Sequence, residues 1–111
     1  MNKNVAKATI RLPKNRAPVP PGEILVEEYM LPYGITQQEM ANYLKISRKH
    51  LIDIIHARRP MSLEIAQRLA NFFQTSIDFW VVGQVAYDIW HVERHPSKEL
   101  KNIKPFQLHL N

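Results

Sequence analysis

Apolar positions recur at helical spacing in five stretches of this chain, each bounded by proline, glycine or a capping hydroxyl. Pro21 is suited to a first helical position, with its fixed φ and no amide hydrogen to leave unpaired. Ile24, Leu25, Tyr29 and Leu31 follow on one side of a predicted first helix that Pro32 and Gly34 close. Thr36-Gln37-Gln38-Glu39 reads as a capping box, in which hydroxyl and carboxylate each satisfy the other residue's amide. It opens a short helix from Gln37 to Leu44. Ser47 is a second N-cap, for a helix from Arg48 to about His56 that turns Leu51, Ile54 and Ile55 inward. Ser62 caps a helix over Leu63–Phe73, and Ser76 caps a last one from Ile77 to about Val92.

The central pair carries the most information. Two short helices joined by a tight turn, with small Ala41 where they must cross closely, describe a helix-turn-helix. Counting from Gln37, the apolar requirements of that motif fall on Met40, Ala41, Leu44, Ile46, Leu51 and Ile54, and each is met. In such a unit the second helix enters the major groove by its N-terminal turn while the first crosses the backbone. Arg48, Lys49 and His50 are then the outward first-turn residues, with Asp53 one turn on. Arg and Lys suit guanine O6 and N7, and Asp accepts from cytosine N4. Gln37 and Ser47 start helices and are placed to meet phosphates, as are Arg58 and Arg59 just past the second helix. For His50, contact with DNA and simple exposure both stand. Ile52 falls near the exposed side, where it either touches a thymine methyl or packs on the N-terminal arm.

Charge supports this reading. The 111 residues carry a formal net charge of +5, but its distribution matters more than its size. Residues 1–20 hold five Lys or Arg and no acid, whereas 21–44 hold Glu23, Glu27, Glu28 and Glu39 and no base. Residues 45–60 are basic again, with Lys45, Arg48, Lys49, Arg58 and Arg59 against Asp53. Two basic blocks flanking an acidic segment suit a polyanionic partner. No run nears the length of a membrane span, and the basic N-terminus lacks the apolar core of a secretory signal. With no cysteine there are no disulfides or thiolate metal sites. The expected location is the cytoplasm.

The last helix is apolar almost all round. Phe79, Trp80, Tyr87 and Trp90 lie among its valines and isoleucines, leaving Gln84, Asp88 and His91 as a polar stripe. A chain this small has too little protein to cover such a helix, so part of it is expected at a subunit interface. Phe79, Trp80, Tyr87 and Trp90 are the interface candidates of a homodimer, the alternative for Trp80 being the core. A two-fold dimer sets its recognition helices about 34 Å apart, one turn of duplex. At the ends, Ala8, Ile10 and Leu12 alternate, as do Phe106, Leu108 and Leu110. That leaves room for a minor strand pairing of the arms, against disorder or a partner-binding segment that orders on contact.

Other chemistries find little support. Ser47 and His50 lie one turn apart, but nothing supplies an oxyanion site or a phosphate loop, so no catalytic residue is assigned. Asp88, His91 and His95 have the spacing of a metal face, yet Pro96 disfavours a helical His95. No metal or cofactor is expected.

The runs Pro21-Gly22-Glu23-Ile24-Leu25, Tyr33-Gly34-Ile35-Thr36-Gln37, Ile46-Ser47-Arg48 and Arg58-Arg59-Pro60 resemble the HigA-type antitoxins. These belong to the XRE-like, lambda-repressor-like helix-turn-helix proteins. Thr75-Ser76-Ile77-Asp78-Phe79-Trp80, with Gln84, Tyr87, Asp88 and Trp90, is similar to the same family, and the likeness spans roughly residues 20–92. It implies an all-α, five-helix domain that dimerises through its C-terminal part, binds a palindromic operator in double-stranded DNA and neutralises a HigB-type RNA-cleaving toxin. The chain then divides into a basic arm (1–19), a DNA-binding and dimerisation domain (20–94) and a tail (95–111). The alternatives are a solitary XRE-type repressor and a protein-interaction module that no longer binds DNA. Two departures stand out: Lys45 where the family usually has Gly in the turn, and His56-Ala57 where Asn-Gly is common after the recognition helix.

Overall fold

The computed structural model describes residues 10, 12–13 and 15–107. Its element order is α1 (Pro21–Ile24), running without a break into a π-helical segment (Leu25–Met30), then α2 (Gln37–Leu44), α3 (Arg48–Ile55), α4 (Leu63–Phe73), α5 (Ile77–Arg94) and a 3₁₀ turn (Leu100–Asn102). There is no strand among the described residues. Ile10, Leu12 and Phe106 have no regular structure, and Ala8, Leu108 and Leu110 lie outside the described residues.

The helix starts follow from the hydroxyl caps. Thr36 Oγ1 accepts from the Glu39 amide at 3.1 Å while Glu39 Oε1 accepts from the Thr36 amide at 2.9 Å, completing the capping box. Ser47, Ser62 and Ser76 accept from the amides of His50, Ile65 and Phe79. Each removes one of the unpaired donors at a helix start, worth roughly 1 kcal/mol. Helix α5 runs two residues past the expected Val92, to Arg94.

The first helix departs from the regular form expected of it. The Leu31 amide reaches back five residues to the Val26 carbonyl at 2.9 Å. Under that wider bonding each residue turns less, so Leu25 and Met30, five apart, both bury in the core. Regular α-helix would set them well apart around the axis.

The core joins Leu25, Met30, Met40, Ala41, Leu44, Leu51, Ile54, Ile65, Ala66, Leu69 and Trp80. Helix α1 crosses the end of α3 at Gly22, where an added Cβ would lie 2.1 Å from the Ile54 carbonyl oxygen. Pro21 packs on Gly83 of α5. The Pro21-Gly22 opening is therefore a packing device: one residue starts the helix and the next lets two backbones touch. Trp80 is 1 % exposed, and its Nε1 donates to Thr75 Oγ1 at 2.9 Å. This corrects the expectation that Trp80 serves a subunit interface. It sits between Tyr29 and Phe79 as the centre of the protomer's own aromatic packing.

Candidate nucleic-acid interface

The turn between α2 and α3 decides what α3 presents. Lys45 adopts the left-handed conformation (φ 59°), and the Ile46 amide bonds back to the Ala41 carbonyl at 3.1 Å. The strain of a side chain in that region is about 1 kcal/mol, small against the packing it permits. Arg68 of α4 adds a support that sequence reasoning missed. Its Nη1 donates to the Leu44 carbonyl at 2.8 Å, satisfying the C-terminus of α2, while Nη2 pairs with Glu64 at 2.6 Å. No sequence signal separates this arginine from a solvated one, because its partner is 24 residues away.

From this base α3 turns Leu51 and Ile54 into the core and leaves Arg48 and Lys49 exposed. Ser47 uses one lone pair of its oxygen on the His50 amide, which leaves its hydroxyl proton available to donate to a phosphate. Gln37 is half-buried at the first position of α2. His50 is half-buried, and its pKa is held below the ordinary 6.5 by burial first and then by the charge of Arg59. Ile52 is half-buried rather than fully exposed.

Asp53 differs most from expectation. One carboxylate oxygen accepts from Lys49 Nζ at 2.9 Å, the other from Arg58 Nε at 3.1 Å. Both oxygens are thus engaged within the protein, so a cytosine N4 would share a carboxylate that already bridges two cations, through its remaining lone pairs. The Lys49 hydrogen bond comes first among the causes that hold this carboxyl below the usual 3.8, and Arg58 adds to it. Arg58 arrives there because Ala57 turns left-handed (φ 57°) after α3. That turn lets the Arg58 and Arg59 amides donate to the Asp53 carbonyl at 2.8 and 3.1 Å. The loop that follows is fixed by Gln84 of α5, whose Oε1 accepts from the Met61 amide at 2.9 Å and whose Nε2 donates to Asp88. The structure thus gathers Lys49, Asp53 and Arg58 into one cluster, with Arg48 and Arg59 exposed beside them in sequence. Among the described residues no hydrogen bond or ion pair joins Gln37 to that cluster.

Of the remaining interface candidates, Phe79 is 46 % exposed and meets the edge of Trp80. Tyr87 and Trp90 are half-buried, Trp90 lying under the Arg94 guanidinium at 3.8 Å with its Nε1 enclosed and unpaired. Val82, Val85 and Val92 lie exposed along the same helix. Among the described residues no helix is long and apolar enough to cross a membrane.

A family model described as helix-turn-helix matches residues 26–80. The HTH-type transcriptional regulator YbaQ of Escherichia coli is 39 % identical over 91 residues, covering 80 % of this chain and 80 % of its own. Antitoxin HigA-1 of Vibrio cholerae is 30 % identical over 93 residues, covering 81 % and 85 %. Among solved structures, the Pseudomonas aeruginosa antitoxin HigA with the higBA promoter superposes with a TM-score of 0.70 at 32 % identity, over 81 % of this chain and 99 % of that one.

Proposed function

Since the chain belongs to the XRE-type helix-turn-helix family and shares the fold of the HigA antitoxins, we propose that it is a dimeric, sequence-specific DNA-binding antitoxin. In this reading it represses its own operon and neutralises a HigB-type RNA-cleaving toxin. The observation that carries the DNA-binding part is the outward cationic turn of α3. Arg48 and Lys49 stand exposed on a helix whose start is capped by Ser47, with Arg58 and Arg59 exposed just beyond its end.

Arg48 and Lys49 read base edges in the major groove. Gln37, Ser47, Arg58 and Arg59 meet phosphates and set the register, with His50 at the rim. In the free protein burial first and the charge of Arg59 second hold the His50 pKa below its ordinary value. The unit comprising residues 20–94 pairs with a second copy through the exposed side of α5, where Phe79 and the outward valines supply apolar area. Residues 1–19 and 95–111 are arm and tail. The protein works in the cytoplasm on double-stranded DNA and has no enzymatic role of its own.

Fluorescence anisotropy with duplex from upstream of the protein's own gene tests the reading. Arg48→Ala is expected to weaken operator binding about tenfold, in line with loss of one good base contact. Raising salt should weaken binding steeply, with a log–log slope near −0.9 for each phosphate neutralised. Unchanged affinity in Arg48→Ala together with a flat salt response would refute groove binding. The relative YbaQ is named a transcriptional regulator, which favours a second reading of this chain as a solitary repressor. Co-expression with the neighbouring reading frame separates the two: a toxin partner co-purifies and loses its RNA cleavage, whereas a solitary regulator leaves that product untouched.

A further inference from the structure

We propose that Asp53 is a positioning residue for DNA reading. Its carboxylate holds Lys49 and Arg58 as a pre-set pair and weakens sequence-independent binding, so that discrimination between operator and random duplex depends on it. The proposal rests on α3 being the groove helix.

The geometry gives Asp53 two tasks at one point. Its carbonyl accepts the Arg58 and Arg59 amides, which anchors the chain leaving α3. Its carboxylate bridges a cation on the helix, four residues back, and a cation in that exit, five residues on. The Asp53 side chain is 14 % exposed, whereas those of Lys49 and Arg58 are 86 % and 59 % exposed. A covered anion therefore sits beneath two accessible cations. Arg58 bonds through Nε, so this contact consumes neither of its terminal amino groups.

Random duplex and operator feel this arrangement differently. Random duplex offers phosphate charge and little else, so a carboxylate beside the binding cations only subtracts from its attraction. An operator also rewards cations that already stand in the right place, because less side-chain freedom is lost on binding. The carboxylate lowers both affinities through its charge and raises only the second through position. A residue that served the fold alone would change neither the ratio nor the salt slope.

Asp53→Asn keeps the shape and removes the charge. Anisotropy on operator and on scrambled duplex should show random binding strengthened, with a salt slope steeper by up to about 0.9 per protomer. The operator-to-random ratio should fall by roughly tenfold, the worth of one well-placed contact. A ratio that stays constant while both affinities move together overturns the proposal. So does a loss confined to one base pair across a series of single operator changes, since that marks Asp53 as a direct base reader. Circular dichroism establishes that the variant is folded. Should it not be, Lys49→Gln, Arg58→Gln and their double variant address the same point from the exposed cations. Their effects on the ratio should depart from additivity by at least about twofold, and strict additivity overturns the shared anchor. Arg48→Ala isolates the underlying reading: full operator affinity there means that the groove assignment itself has failed.

Discussion

Replacing Gly22 by alanine tests the crossing on which the DNA-facing geometry depends. The added Cβ would lie 2.1 Å from the Ile54 carbonyl oxygen, 2.7 Å from its carbon and 2.8 Å from Ile55 Cα. Carbon contacts settle near 3.5–4.0 Å, so helix α1 must withdraw by on the order of 1 Å. All three neighbours are backbone at the end of α3, and no rotamer change relieves them. Withdrawal also pulls Pro21 from Gly83 and loosens Leu25, which is fully buried. Helix propensity alone favours alanine by about 1 kcal/mol. Overpacking of this kind opposes it by about 1–3 kcal/mol, occasionally more, and the lost burial of two apolar residues adds to that. A net destabilisation of about 2 kcal/mol is expected, equivalent to roughly 8–16 °C in Tm for a domain of this size. Thermal melting followed by far-UV circular dichroism reads it directly. Gly83→Ala is the control: its Cβ would meet only Pro21 Cγ, at an ordinary 3.4 Å. There the helix-propensity gain should leave the protein as stable or up to about 1 kcal/mol more so. A Gly22→Ala protein that melts at or above the native temperature would refute the close crossing.

Three further outcomes follow from the same structure. Ala57→Gly relieves a left-handed backbone (φ 57°) and should raise stability by up to about 1 kcal/mol; a lowered Tm would mean that the Ala57 side chain is needed for packing. Trp80→Ala should remove about 3–5 kcal/mol through core loss and unfold the protomer, whereas Phe79→Gln with Val82→Gln should leave it folded and shift sedimentation toward monomer; a dimer that persists in the double variant would move the interface off α5. Glu39 is held below 4.5 by the Thr36 backbone hydrogen bond first and the side-chain one second, so its stabilisation is complete above pH 4.5 and is lost as pH falls through the lowered value. Glu39→Gln should therefore flatten the acid limb of a Tm–pH profile, and a superimposable limb would count against the capping box.

The helices and their starts were legible in the amino-acid order because their causes are local. Thr36, Ser47, Ser62 and Ser76 act on amides three residues away, and the apolar spacing of α2 and α3 is set by the helical repeat. The exposed Arg48 and Lys49 follow from the same repeat. The turn at Lys45 stood out as the place where the resembling family carries Gly, and its left-handed backbone accounts for that preference.

What the order of residues left open depends on partners distant along the chain. Arg68 and Gln84 look like ordinary polar residues until α4 and α5 pack and bring one to the end of α2 and the other to the loop between α3 and α4. The π-helical turn of Leu25–Met30 has no local cause; the core demands that Leu25 and Met30 both be buried, and the backbone bonding gives way. Trp80 and Phe79 adjoin in sequence and both meet Tyr29, yet only Trp80 is on the side of α5 that enters the core. The pairing of Asp53 with Lys49 spans one helical turn and could be read from spacing. Its second partner, Arg58, depended on which way the chain left α3, and that was decided when Ala57 turned left-handed and Gln84 caught Met61. Local bonding needs only the residues nearby, whereas the direction of a loop is settled by whatever it packs against.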